Sequence, residues 1–344
     1  MDAFNLMIVI LALSYFGVTI YMANYGEATG ERRLLVRGLL HGTIAIVFVY
    51  ALVTLQVAFL PLPAQGEPSL EEISLAGALV NFALAVVICL FSFRIVNSAE
   101  TRQWLKSRIG SQGSFSPDSI VHTTAIVLSL AALSFTIGQL VLSGGISGMA
   151  ESIEASGISL GDTIFNQVLW IVVALLGIGL FLRRTPEQAL GRLGLRVPAV
   201  ADIRAGVGVA VALYLFVFVL SGLWAALVTP EQFQEQTAAS EQIAEAFNTV
   251  PLAFFVAVTV AVGEEVLFRG ALQPVFGPGI TAIYFALLHT QYTLTPASLS
   301  IFVVALALGW LRKRHSTTAS IITHFIFNFV SLVLPLLFSM LTSG

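Results

Sequence analysis

An all-α bundle of about ten membrane-spanning helices is the fold class this sequence predicts. Two observations predict it. Of 344 residues, 57% are hydrophobic and only 10% charged, with a mean hydropathy of +0.92, whereas soluble chains carry about 25% charged residues. The apolar residues also fall into blocks close to the roughly 20 residues that one crossing takes. The same composition excludes a soluble globular chain and a disordered one. A net charge of −3 leaves no basic surplus for nucleic acid, and a lone cysteine, Cys89, excludes a disulfide framework.

In order, the blocks run near 4–22, 39–60, 74–96, 123–143, 167–182, 205–228, 250–268, 279–292, 296–311 and 320–341. The first begins Met1-Asp2-Ala3-Phe4 with no cation ahead of it, so it is expected to be a retained span and not a cleaved signal peptide. The eighth and ninth are short for a full crossing. They are expected to tilt, or to reach only part of the way under cover of protein. The longest loops, about 97–122, 144–166, 183–204 and 229–249, have room for tethers or surface helices, and Glu187 to Leu195 reads as a short amphipathic one.

Orientation follows from the cations. Arg32, Arg33 and Arg37 follow the first span, and Arg94, Arg102, Lys106 and Arg108 lie at or beyond the end of the third. Arg183, Arg184, Arg192, Arg196 and Arg204 follow the fifth, Arg269 the seventh, and Arg312, Lys313 and Arg314 the ninth. These are all 16 Lys and Arg. The alternate loops carry only acids: Glu67, Glu71 and Glu72; Glu151, Glu154 and Asp162; Glu231, Glu235, Glu241 and Glu245. The positive-inside rule then puts the basic loops in the cytosol and both termini on the other side.

An ionisable group inside a span costs about 2.5–3.5 kcal/mol on insertion scales. Such groups collect in the last third of the chain, in Gly263-Glu264-Glu265-Val266-Leu267-Phe268-Arg269, Phe285-Ala286-Leu287-Leu288-His289 and His324-Phe325-Ile326-Phe327-Asn328. Glu265 and Arg269 are i, i+4 and are expected to pair structurally. Glu264, turned about 100° away, faces something else. His324 and Asn328 are also i, i+4. From the cytosolic side Glu264 is expected about one turn in, His324 and Asn328 about one to two turns and His289 about two to three, so the four can meet.

A carboxylate, two imidazoles and a carboxamide in a sheltered pocket suit hydrolysis. Glu264 would take a proton from water, His289 would orient the water or carry the proton to the leaving amine, and His324 and Asn328 would donate to the oxyanion. Glu264 with the two histidines would equally hold a divalent metal, and the spacing does not separate the two. Any one of these groups alone could simply hold helices together. His41, His122 and His315, at the cytosolic boundary, read as surface residues. Rival signatures fail: there is no His-Glu-x-x-His. Gly145-Ile146-Ser147-Gly148, a Gly-x-Ser-Gly, sits in an acidic outer loop with no clear histidine partner, and Asp162 has no second aspartate.

Glu264-Glu265-x-x-x-Arg269, Phe285-x-x-x-His289 and His324-x-x-x-Asn328, in this order on successive late helices, resemble the CPBP family of CAAX proteases and bacteriocin-processing enzymes. The motifs lie within 245–335, and Leu193-Gly194-Leu195-Arg196 resembles the segment that leads into that core. The resemblance implies a protease core over 183–344, with 1–182 as accessory helices. It implies an intramembrane endopeptidase open to the cytosol. In it the first glutamate and middle histidine activate water while the last histidine and asparagine stabilise the transition state. Its implied partners are membrane lipid and a peptide or prenylated protein. Eukaryotic relatives remove the last three residues of prenylated CAAX proteins; bacterial ones are tied to peptide processing, immunity or scaffolding. The rival readings are a transporter using Glu264 and the histidines as an ion or proton relay, and a non-catalytic immunity or scaffold protein of the same fold.

Overall fold

The computed structural model describes residues 3–60, 73–292 and 295–342. The acids Glu67, Glu71 and Glu72 and the first two residues lie outside them. The described chain is all-α, with a lone bridge between Leu180 and Arg184 in place of any strand. Its helices are α1 (Ala3–Thr29), α2 (Arg33–Val57), α3 (Leu75–Asn97), α4 (Ala99–Ile109), α5 (Ile120–Leu142), α6 (Ile146–Ser156), α7 (Leu160–Gly177) and α8 (Pro186–Leu193). They continue as α9 (Val200–Ala225), α10 (Pro230–Ala246), α11 (Val250–Glu265), α12 (Gln273–Phe276), α13 (Pro278–Leu288), α14 (Pro296–Arg314) and α15 (Thr317–Thr342).

Nine helical stretches among the described residues are long and apolar enough to cross a membrane. This is a multi-pass membrane protein. The eighth block is the short one: α13 has 11 residues, about 16 Å at 1.5 Å per residue against a hydrocarbon core of about 30 Å. The ninth runs on to Arg314, and its 19 residues reach spanning length. The long loops carry the surface helices α4, α6, α8 and α10. Their starts are written in the sequence. Thr185 with Gln188, and Thr229 with Gln232, form capping boxes ahead of Pro186 and Pro230, which satisfy N–H groups that a helix start leaves unpaired.

The first helices form one group, in which α2 and α5 pack on α3 and α1 packs on α5. A second group consists of α7, α9, α11, α13, α14 and α15, with α11 against α7 and α15, and α15 against α9 and α14. Contacts of α1 with α7 and of α5 with α13 join the two. Helix α15 is pinned to α9 by polar bonds that an apolar interior makes worth having: Thr323 Oγ1 donates to Gly206 O at 3.0 Å, and the Tyr214 hydroxyl donates to Phe327 O at 2.9 Å. At the basic end, Asp202 is buried and takes Arg196 at 2.9 Å and His315 at 3.2 Å, while its other oxygen accepts from Ala199 N–H. His315 is therefore half-buried in a structural cluster, which corrects the surface reading. Sequence gave no hint of its carboxylate partner 113 residues away.

Candidate functional site

The site is built at the end of α11. Gly263 lets α7 approach: a Cβ there would collide with Gln167 Oε1 and stand 3.1 Å from Gln167 Cα. Beyond Glu265 the chain does not stop. A π-helical segment, Val266–Leu272, leads into α12, so the apolar stretch continues to Phe276. Glu264 accordingly lies twelve residues before that end, about 18 Å of helix at 1.5 Å per residue. The hydropathy count ended the span at Arg269 because a charge normally marks the interface; here Arg269 is itself buried.

Arg269 is held from several sides. Its Nη1 lies 3.1 Å from Glu265 Oε1, its Nη2 donates to Ala305 O at 3.2 Å, and its guanidinium stacks over Phe285 with 4.5 Å from Cζ to the ring centroid. Such enclosure compensates a charge that would otherwise be very costly to bury. Glu265, wholly buried, also accepts from His324 Nδ1 at 2.9 Å. That bond joins α11 to α15 across 59 residues and was not anticipated, since i, i+4 spacing revealed only the arginine.

Glu264 is turned away from this cluster toward the two imidazoles. Its Oε2 is 3.8 Å from His324 Nε2 and 4.0 Å from His289 Nε2. His289 sits where α13 ends, and its Nδ1 lies 2.8 Å from Phe285 O. The short helix is the device that puts a histidine in mid-bundle: α13 stops at Leu288, and a 3-10 turn, Thr290–Tyr292, follows it. That turn packs against α6 and α10, which also pack on each other, so surface helices from the acidic loops cover the helix tip. Gly145–Gly148 merely starts α6.

Hydrogen-bond partners fix the tautomers. A carbonyl and a carboxylate can only accept, so both histidines carry a proton on Nδ1. In the neutral form each ring then presents a bare Nε2 toward Glu264 Oε2. That oxygen is buried and has no hydrogen-bond partner among the described residues. Three acceptors thus face a common point that requires a donor. Asn328 lies one turn beyond His324 on α15, half-buried, with no hydrogen bond of its own among the described residues. The structure thus brings together Glu264, Glu265, Arg269, His289 and His324, with Asn328 on the same helix as His324. No group of three His, Cys, Asp or Glu among the described residues is arranged to hold a metal ion.

Sequence reasoning missed Gln167, whose buried Oε1 also lacks a partner among the described residues. Nothing in the sequence marks it, because a glutamine early in a span is common. The reading of His122 as a surface residue is also corrected: it is half-buried against a cavity, its Nδ1 accepting from Ser116 N–H at 2.9 Å.

Fold and site together define a polytopic membrane protein with a buried glutamate–histidine cluster near the end of a helix. Residues 246–330 match the family model described as type II CAAX prenyl endopeptidase Rce1-like. All seven residues of the three motifs fall in that segment, and the match agrees with the CPBP resemblance. At family level it supports a protease of the CAAX type. No curated protein and no solved structure matches the chain.

Proposed function

We propose that the protein is an intramembrane endopeptidase in which Glu264, His289, His324 and Asn328 hydrolyse a peptide bond at a site reached from the cytosol. The observation that carries this reading is the convergence of Glu264 Oε2 and two Nε2 atoms at 3.8 and 4.0 Å. A water between them donates one hydrogen to Glu264 and the other to His289 Nε2, and keeps a lone pair free for attack. Glu264 removes the proton as the water attacks, and the proton passes to the leaving amine. His324 works differently, because its Nδ1–H is committed to Glu265. Protonated on both nitrogens, it donates through Nε2 and with Asn328 stabilises the oxyanion.

Glu265 and Arg269 position His324 and do not touch the substrate. The accessory helices of 1–182 and the core of 183–344 are kept as proposed units. The substrate class is a peptide or a prenylated protein, and the surface helices over His289 favour approach from the basic-loop end. A second reading gives the same trio a divalent cation, which would have to rearrange the three groups from their present positions, since as they stand they form no metal-holding group. Histidines that ligate through Nε2 usually donate Nδ1–H to a carboxylate or carbonyl, as both do here.

Cleavage of a peptide panel, with and without prenyl groups, by purified protein before and after chelation tests both. Water activation by Glu264 predicts cleavage that survives chelation. Loss on chelation and recovery with zinc would move the reading to the metal, and no cleavage of any peptide would favour the immunity or scaffold role.

A further inference from the structure

A cavity of about 500 Å³ lies between the first helices and the core, bounded by α1, α5, α7, the π-helical segment and α13. None of the seven motif residues lines it. Its size is within the usual range of small-molecule sites. One part is apolar, with Leu128, Ala132, Phe135, Leu169, Trp170 and Val173 in the wall. At the basic-loop end the wall becomes cationic, with Arg183, Arg184 and Arg192.

The cationic end is built. A tight turn follows α7, in which Gly179, at φ +80°, allows Asn24 and Arg183 to come close. Asn24, buried on α1, donates to Leu176 O at 2.9 Å, and its Oδ1 accepts from Arg183 Nη1 at 3.1 Å. Arg184 donates to Ile178 O. Arg192, on α8, donates to Gly270 O at 2.8 Å. These bonds satisfy N–H groups but cancel no charge. Among the described residues none of the three arginines has a carboxylate within ion-pair distance. Burial and the neighbouring Arg184, Arg312 and Arg183 push the Arg192 guanidinium down to about 10. His122 adds one more donor, since its Nδ1 is occupied as an acceptor and its proton is on Nε2.

Uncompensated like charges in a half-buried wall are costly unless an anion joins them. We propose that this cavity binds a membrane amphiphile, with its phosphate head on Arg183, Arg184 and Arg192 and its hydrocarbon tail along the apolar wall. It is a site separate from the glutamate–histidine cluster and independent of any catalytic role. It would cement the N-terminal helices to the core.

The test is lipid retention by the full-length protein, read by native mass spectrometry after equilibration with mixed phosphatidylcholine and phosphatidylglycerol. The expected result is selective retention of phosphatidylglycerol, lost about tenfold in Arg183→Gln/Arg184→Gln and kept in Arg183→Lys/Arg184→Lys. Ala132→Trp leaves every charge in place, fills the apolar part and should lose retention as well, with an unchanged elution profile showing that it folds. Inorganic phosphate displacing the lipid at comparable concentration would show an anion site without a tail and overturn the proposal. So would retention indifferent to all three variants, which marks bulk lipid, or displacement by a prenylated peptide, which marks a part of the substrate site.

Discussion

His324 Nδ1 donates to Glu265 Oε1 at 2.9 Å, on the oxygen that Arg269 Nη1 approaches to 3.1 Å. Two adjacent glutamates therefore have opposite duties. Through its Oε1 Glu265 pairs with Arg269 and orients an imidazole on another helix; Glu264 turns its Oε2 toward the Nε2 atoms of two histidines, and among the described residues neither glutamate's Oε2 has a hydrogen-bond partner. The helical repeat alone divides them, since neighbouring side chains diverge by about 100°.

The first prediction concerns Arg269. Arg269→Ala leaves Glu265 as an uncompensated buried carboxylate, so stability should fall by about 3–5 kcal/mol. Thermal unfolding in detergent reads this. Unchanged stability would mean that the pair carries no structural weight.

Gly263 gives a steric prediction. Gly263→Ala places a Cβ against Gln167 Oε1 and 2.8 Å from Gln167 Cβ, so α7 and α11 must separate. Such overpacking typically costs about 1–3 kcal/mol, and because Glu264 is the next residue, activity should fall further than stability. A variant as stable and active as the parent would show that α7 does not set the position of Glu264.

How much was legible in the sequence follows from these contacts. Hydropathy located the spans because the bilayer imposes a length, and the i, i+4 spacing of Glu265 and Arg269 put them within reach of each other. What it could not register were partners distant in the chain: Glu265 with His324, Asp202 with His315, Asn24 with Arg183. Nor could it find the π-helical continuation after Glu265, since Arg269 resembles an interfacial charge until its surroundings are known. His122 was misread for the converse reason. A histidine beside a loop is usually solvated, and only the fold shows Ser116 bonded to it and Phe115 stacked on it.

The segregation of cations yields a topological prediction. In a protein without Cys89, cysteines replacing Ser111 and Leu190 should be shielded from an impermeant thiol reagent in intact cells, and those replacing Glu154 and Gln234 should label. Labelling at 190 without labelling at 234 would invert the orientation and with it the proposed cytosolic access.

The oxyanion pair separates an enzyme from a relay. His324→Ala or Asn328→Ala should lower kcat by about 10²–10³ with little change in KM, and the double variant should fall short of the product of the two losses. Steady-state kinetics read both. Hydrolysis that survives both changes while an ion flux is lost would support the transport reading instead.

The most direct measurement compares peptide cleavage by the wild type and by Glu264→Gln, both purified and shown to be folded. The substitution keeps the shape of the side chain and removes the base, so the account predicts that the wild type cleaves and Glu264→Gln does not, with its unfolding temperature preserved. Equal cleavage by the two proteins would contradict the central claim that Glu264 activates the water.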